Sequence, residues 1–236
     1  MISSIPFLYR DVYDAAIPTL ALSEERRLPL TGVHPASYVN KLSISTIDMS
    51  VASLSHLQKH MAYAMKNIAL HATNGGIQTF TFRSTSVSLP EIFDGTISPA
   101  LKPIKELFLQ CPFPVKSARL SLSLVRFLCG PSLVSLEMDF ETKILPARYL
   151  MVAKLLEQLP TSCPGLKRLS IKQPYSYEKS ETLQLAKVLK DSTFRFPVLT
   201  EFCLNIDDWL GNFSESLKAF FQRHLMIEVL HYHVDV

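Results

Sequence analysis

One apolar pattern recurs along most of the chain and constrains its fold more than any other feature. An apolar residue is followed, three and five positions later, by two more, so that the last two alternate with mostly polar residues. The copies begin at Val39, Ile77, Ile104, Leu133, Leu166, Leu199 and Ile227, and a weaker copy retains only Leu120 and Leu122. A single short alternation is common in globular proteins. Eight copies in series predict a repeat architecture in which each copy forms one strand.

Segments with a helical period lie between these strands. Residues 51–72 and 145–159 carry apolar side chains three and four positions apart, which is typical of an amphipathic helix. Two further helices are predicted to begin at Ser180 and Ser214, because a serine hydroxyl can accept a hydrogen bond from the first helical turn. Strand, connection and helix therefore alternate along the chain.

The central apolar residues of the copies set the spacing of the units. They are Leu42, Phe80, Leu107, Leu120, Leu136, Leu169, Phe202 and Leu230, at intervals of 13 to 38 residues. Most intervals leave room for a strand, a helix and two connections, but the two that flank Leu120 are short for a parallel crossover. Either the turns there contain no helix, or Leu120 belongs to no strand of the parallel sheet. A local antiparallel hairpin is the structural alternative.

These patterns predict an α/β solenoid. Each unit can bury its strand and its helical stripe only by stacking on its neighbours, and right-handed crossovers curve such an array into an arc. The expected sheet is curved and mostly parallel, with the helices on its convex side. We expect one irregular domain over residues 1–236, in which residues 1–38 form a helical lead-in and residues 39–236 form the repeats.

Five stretches of the sequence resemble leucine-rich-repeat proteins of the fungal F-box kind. They are residues 7–12 (FLYRDV), 38–44 (YVNKLSI), 162–171 (SCPGLKRLSI), 196–204 (FPVLTEFCL) and 221–230 (FQRHLMIEVL). The resemblance implies a leucine-rich-repeat-like solenoid that serves as the substrate-binding region of a ubiquitin-ligase receptor. In such proteins a helical F-box, which docks on the ligase adaptor, comes first, and the sequence leaves no room for it before Ile5. We therefore expect a fragment or shortened product of a longer receptor, and adaptor binding only by a product that contains an F-box.

Composition argues against several functional classes. The net charge is +3 without a long basic run, so no nucleic-acid partner is expected. The four cysteines form no C-x-x-C pair and are unevenly spaced, which is typical of free thiols in a reducing compartment. There is no secretory signal and no run of about 18 uncharged apolar residues, so no membrane association is expected. These features predict a soluble protein of the cytoplasm or nucleus.

Histidines provide the candidate metal ligands. His56 and His60 are four residues apart on a predicted helix, so both imidazoles can share one face. A zinc protease of the H-E-x-x-H type requires glutamate directly after the first histidine, where this chain has Leu57. His71 lies on much the same face but about 16 Å further along the helix, too far to share their metal. We interpret these residues as ordinary helix histidines and expect no metal and no cofactor.

Motifs of catalysis are also missing from the sequence. It contains no G-x-S-x-G elbow, no phosphate-binding loop and no dinucleotide fingerprint. His233 and His231 are interpreted as solvent-facing strand residues, and Cys203 and Cys163 as packing thiols, because no partner base can be assigned to them. We therefore expect no enzymatic activity. An enzyme of unfamiliar type would have to use residues among His56, His60, Cys163 and His231.

The polar residues of the strands form the candidate site. They alternate with the inward apolar residues and should face the concave side of the sheet. Aromatic and arginine side chains in a polar surround are typical of binding hot spots, which favours a non-enzymatic module that recognises a protein partner. The candidate contact residues are Arg83, Phe108, Arg119, Glu137, Asp139, Arg168, Lys172, His231 and His233. The alternative is a leucine-rich-repeat scaffold protein unrelated to ubiquitin ligases.

Overall fold

The recurring apolar motif forms the strands of one sheet. A computed structural model describes residues 11–13, 17, 34–47, 49–71, 76–85, 101, 104–111, 123, 125–140, 148–172, 179–191, 193–207 and 213–235. Its strands are β1 (Asp11–Tyr13), β2 (Lys41–Ser45), β3 (Thr79–Arg83), β4 (Glu106–Gln110), β5 (Ser135–Asp139), β6 (Arg168–Lys172), β7 (Glu201–Asp207) and β8 (Val229–Asp235). All neighbouring strands pair in parallel, and their order in the sheet is their order in the chain. The predicted α/β class with a parallel sheet is confirmed.

The central apolar residues occupy one continuous row across the sheet. Leu42 pairs with Phe80, and the row continues through Leu107, Leu136, Leu169 and Phe202 to Leu230. These are the equivalent positions that the sequence spacing predicted, apart from Leu120. A slip of one residue in any pairing would move the apolar side chains of that strand to the opposite face, so burial fixes this register.

Alternation along each strand gives the sheet one buried and one polar face. In β2, Leu42 and Ile44 are fully buried, whereas the three residues that alternate with them are half-buried. The strands β3 to β6 alternate in the same way. Helix residues such as Met61 and Leu156 belong to the same core as the buried strand residues. We call the side of the sheet opposite this core the polar face.

Helices connect the strands and cover the buried face. A 3-10 helix (Pro35–Tyr38) precedes β2, and α1 (Val51–His71) follows it. The helices α2 (Arg148–Leu156) and α3 (Leu159–Ser162) lie between β5 and β6, α4 (Lys179–Lys190) precedes β7, and α5 (Ser214–Arg223) precedes β8. The helix α4 packs against both α2 and α5. The helices α2, α4 and α5 therefore form a layer on the buried side of the sheet.

The helix starts predicted at Ser180 and Ser214 lie within about one residue of the observed ones, and the start predicted at Leu145 lies outside the described residues. Ser214 is the first residue of α5, and the capping position is Phe213, whose side chain makes no capping hydrogen bond. The prediction that Ser214 caps this helix is therefore wrong. Phe213 is fully buried, so its position is fixed by packing instead of by a hydroxyl cap. The helix α4 begins at Lys179, one residue before Ser180.

One hydrogen-bond arrangement repeats at six successive junctions between described strands. The carbonyl of the residue that precedes a strand accepts from two successive backbone N–H groups where the next strand begins. Val134 O, for example, accepts from Lys167 N (2.8 Å) and Arg168 N (3.0 Å). The six acceptors are the carbonyls of Asn40, Gln78, Lys105, Val134, Lys167 and Thr200. Because backbone groups entering a sheet need partners, this arrangement places each unit on the previous one in the same register.

The sheet departs from the series of apolar copies at two places. The strand β4 pairs directly with β5, so no strand lies between them in the sheet. Leu120 itself, and the hairpin considered there, lie outside the described residues. Residues 1–38 were predicted as a helical lead-in, and within them the structure describes the short strand β1, which pairs with β2, and the 3-10 helix. The sheet thus begins earlier in the chain than the apolar motif indicated.

Candidate functional site

The polar face contains an open groove of about 510 Å³ that extends from β2 to β8. It is lined by polar strand residues, which point away from the helices because they alternate with the buried apolar ones. Lys41 lies at one end and Val229 at the other. Between them, side chains of β3 to β7 line the groove, and these include charged, aromatic and small residues. The groove is therefore a continuous surface to which at least six neighbouring strands contribute side chains.

An ion pair in the groove bridges two strands that are not neighbours. The Arg168 Nη2 atom on β6 lies 3.0 Å from Glu106 Oε1 on β4. Between them lies Ser135 of β5, which is in register with both residues and has a side chain short enough to be crossed. The Thr79 hydroxyl donates to the other carboxylate oxygen of Glu106 at 3.3 Å. Both members of the ion pair are about half exposed, so it orients side chains more than it stabilises the fold.

A second ion pair lies beside the first. Lys172 Nζ donates to Glu137 Oε1 at 2.5 Å, which joins β6 to β5. Hydrogen bonding to the Glu137 carboxylate raises the pKa of Lys172, because the carboxylate stabilises the ammonium form. The two ion pairs neutralise Glu106, Glu137, Arg168 and Lys172, while Asp139 at the end of β5 adds a further carboxylate on this face.

An arginine lies over an aromatic ring at the β3 end of the groove. The Arg83 guanidinium carbon lies 5.0 Å from the centre of the Phe108 ring. Arg83 is the last residue of β3, and Phe108 is the middle residue of β4, so the two are diagonal neighbours on the polar face. Arg83 is exposed and Phe108 is half-buried. Such a cation–π contact attracts the guanidinium electrostatically to the face of the ring.

Small side chains form much of the groove floor. Thr81, Ser135 and Ser170 line it on three different strands. The Ser170 hydroxyl oxygen is buried and has no hydrogen-bond partner among the described residues. An unpaired buried hydroxyl costs free energy in the folded protein, and a polar group of a bound molecule could satisfy it. The floor therefore offers both space and a hydrogen-bonding group.

The structure brings together most of the predicted contact residues. Arg83, Phe108, Glu137, Arg168 and Lys172 all line the groove. Asp139 lies at the end of β5 on the same face. Arg119 lies outside the described residues, and for His231 and His233 the structure describes only the backbone of β8. Two groove carboxylates, Glu106 and Glu201, were placed on this face by the sequence pattern but were not selected as contact residues.

Of the cysteines, Cys163 is buried as expected for a packing thiol, whereas Cys203 is partly exposed and lines the groove. The rings of His56 and His60 lie 4.4 Å apart on α1, while the ring of His71 stacks on that of His34 at 4.3 Å. In the part of the chain that the structure describes, no three histidine, cysteine, aspartate or glutamate side chains are grouped as metal ligands. A hydrogen bond with Cys163 and burial raise the pKa of Cys129, so this thiol resists ionisation.

Comparisons with known proteins add no relatives. No protein-family model matches the chain, and no curated protein matches it either. None of the described helices combines the length and the apolar character that crossing a membrane requires.

Proposed function

We propose that this chain is a leucine-rich-repeat-like solenoid whose polar sheet face is concave and recognises a protein partner without catalysing a reaction. The observation that carries the proposal is the groove itself. Its exposed arginine, its aromatic ring and its small-residue floor lie on one surface, surrounded by paired charges. Protein-binding hot spots have this composition, with aromatic and arginine anchors inside a polar rim.

The regular stacking of the units supports the solenoid part of the proposal. The strands follow one another in chain order, and the same junction recurs at six described steps. Seven steps of about 4.8 Å give a face roughly 34 Å wide, which is enough to contact a folded domain or a long peptide. A stacked array that leaves one sheet face uncovered is a common basis for extended binding surfaces.

The sequence resemblance supports a finer proposal for the biological role. The stretches that resemble fungal F-box proteins include residues 162–171 and 221–230, which contain turns leading into β6 and β8. We therefore propose that the partner is a substrate presented to a ubiquitin ligase by a longer product of the gene. The alternative is a repeat scaffold unrelated to ubiquitin ligases. Sequencing the transcript upstream of Met1 separates the two, because an in-frame F-box supports the first.

Charge reversal on the two sides of the sheet tests the binding face. A variant with Arg83, Arg168 and Lys172 all replaced by glutamate should capture less partner from an extract of the source organism. The matched control replaces three exposed helix lysines, Lys59, Lys154 and Lys187, by glutamate and should capture as much partner as the unchanged chain. Thermal melting by circular dichroism verifies folding of each variant.

A second variant separates loss of binding from loss of stability. Arg168→Glu alone would place two carboxylates together, whereas Arg168→Glu with Glu106→Arg preserves the ion pair with its polarity reversed. This exchanged pair should melt near the temperature of the unchanged chain and still capture less partner. Equal capture by the unchanged chain and by both groove variants would reject the polar face as the binding surface.

A further inference from the structure

The groove cation best placed to pair with a charged ligand is at the β3 end. Arg168 and Lys172 each have a carboxylate partner within the chain. Arg83 instead lies over the Phe108 ring, and the ion pairs between described residues involve Arg168 and Lys172 but not Arg83. Lys41 also lines the groove but is in register with Asp11, whose side chain is not described, so we assign no ligand to Lys41. A ligand carboxylate would therefore meet the least competition at Arg83.

The contact with Phe108 leaves the N–H donors of Arg83 available to bind a carboxylate. The attraction between a guanidinium and a ring is electrostatic and uses none of these donors in a hydrogen bond. Those donors can form two parallel hydrogen bonds with one carboxylate. Because Arg83 is exposed at the end of its strand, a ligand can approach this edge from solvent.

The surface next to Arg83 suits an apolar side chain. Phe108 is half-buried, so part of its ring still faces the groove. Thr81 is in register with Phe108 on β3, whereas on β5 Glu137 is in register with it and Ser135 is its diagonal neighbour. The Glu137 carboxylate is held by Lys172, and the short side chains of Thr81 and Ser135 leave space above the sheet on the two sides of the ring. An apolar ligand group placed there would cover the ring and remove apolar surface from water.

We propose that the groove selects a peptide segment with an aspartate or glutamate two residues from a large apolar side chain. The carboxylate binds Arg83, and the apolar side chain covers Phe108. The guanidinium lies 5.0 Å from the ring centre, and side chains two residues apart on an extended peptide project from the same face about 6.8 Å apart, so both can reach their partners. This inference rests on the proposed function and specifies the partner's chemistry.

Peptide selection tests this chemistry directly. A phage-displayed library of random dodecapeptides is panned on the immobilised full chain and, in parallel, on the Arg83→Glu variant. The unchanged chain should enrich acidic–apolar pairs, and the variant should enrich lysine or arginine in place of the acid. Synthetic peptides from the first selection should bind Arg83→Glu with an affinity at least about tenfold lower than their affinity for the unchanged chain. Lys154→Glu, which makes the same change of charge sign on α2, should bind them like the unchanged chain.

Three results would overturn the inference. They are the absence of any enriched peptide, enrichment of peptides without an acid, and equal peptide affinity for the unchanged chain and Arg83→Glu. The variant with Arg83, Arg168 and Lys172 all replaced by glutamate shows whether the proposed function fails at the same time. If that variant still loses partner capture while the peptide prediction fails, the polar face binds a partner of different chemistry. If it captures partner normally, both proposals fail.

Discussion

At position 224, one imidazole joins the end of α5 to the turn before β7. The Phe196 backbone N–H donates to His224 Nε2 at 2.9 Å, so Nε2 must be unprotonated. His224 Nδ1 then carries the proton and donates to Phe220 O at 2.7 Å. The ring also packs 4.1 Å from the Phe220 ring. Burial of the imidazole lowers the pKa of His224, because the charged form loses its hydration.

This neutral histidine should make stability depend on pH. In the unfolded chain His224 has its ordinary pKa near 6.5, and in the folded chain the pKa is lower. Above the unfolded value both states are neutral and the contribution to stability is complete. Below it the unfolded chain binds the proton first, so stability is lost as the pH falls toward the folded pKa. Urea unfolding at about pH 7.5 and 5.5 should therefore show a larger loss in the unchanged chain than in His224→Asn.

A surface histidine supplies the matched control. His56 is exposed on α1, and His56→Asn should leave the pH dependence of the unfolding free energy as it is in the unchanged chain. Equal pH dependence of the unfolding free energy in the unchanged chain and in His224→Asn would contradict the assignment of a neutral imidazole to His224.

The sequence marked the stretch containing His224 only by its resemblance to a family motif. Its role could not be predicted, because Phe196 is 28 residues earlier and becomes a neighbour only when the units stack.

At the scale of elements, Arg223 ties the last two described helices together. It lies at the end of α5, and its guanidinium donates to Leu189 O and Lys190 O at the end of α4, as well as to Ala219 O. Carbonyl groups at a helix C-terminus lack partners within the helix, and a cation there is also favoured by the helix dipole. Arg223 therefore acts as a cap supplied by the neighbouring unit.

Removing this cap should destabilise the chain without changing its fold. Arg223→Met retains most of the apolar stem and should lower the free energy of unfolding by about 1–2 kcal/mol. Arg223→Lys should recover only part of the loss, because an ammonium cannot reach several carbonyls as a planar fork does. Lys218→Met, at an exposed position of the same helix, should change stability by less than about 0.5 kcal/mol. Urea unfolding measures all three, and equal effects of Arg223→Met and Lys218→Met would exclude the capping role.

Some helices and strands could be predicted from the sequence more completely than others. Strong periodicity in residues 51–72 predicted α1 almost to its last residue, His71. Ser214 was assigned as a cap from its residue type alone, but Phe213 occupies that position because its ring is buried. Strand β1 carries no copy of the apolar motif. It therefore could not be inferred from that pattern, although it pairs with β2.

At the scale of the whole molecule, repetition of the apolar motif made the sheet predictable. Each Leu or Phe in the central row must lie on the buried face of the sheet. Aligning the copies of the motif in the sequence therefore gives the register in which neighbouring strands pair. The ion pairs were less predictable because they depend on side-chain reach across strands. Arg168 and Glu106 are separated by 62 residues and by the whole of β5, and only the short Ser135 between them allows the contact. The polar face was therefore predictable as a surface, but its internal pairing was not.

Site-specific photocrosslinking tests most directly whether the polar face is where a partner binds. A benzophenone amino acid is placed at Thr81, in the groove, or at Lys154, on the helix side, and each chain is irradiated in an extract of the source organism. We expect covalent adducts with a protein from position 81 and none from position 154, with the attached peptides identified by mass spectrometry. Adducts from position 154 alone, equal adducts from both positions, or none from either would contradict recognition by the polar face.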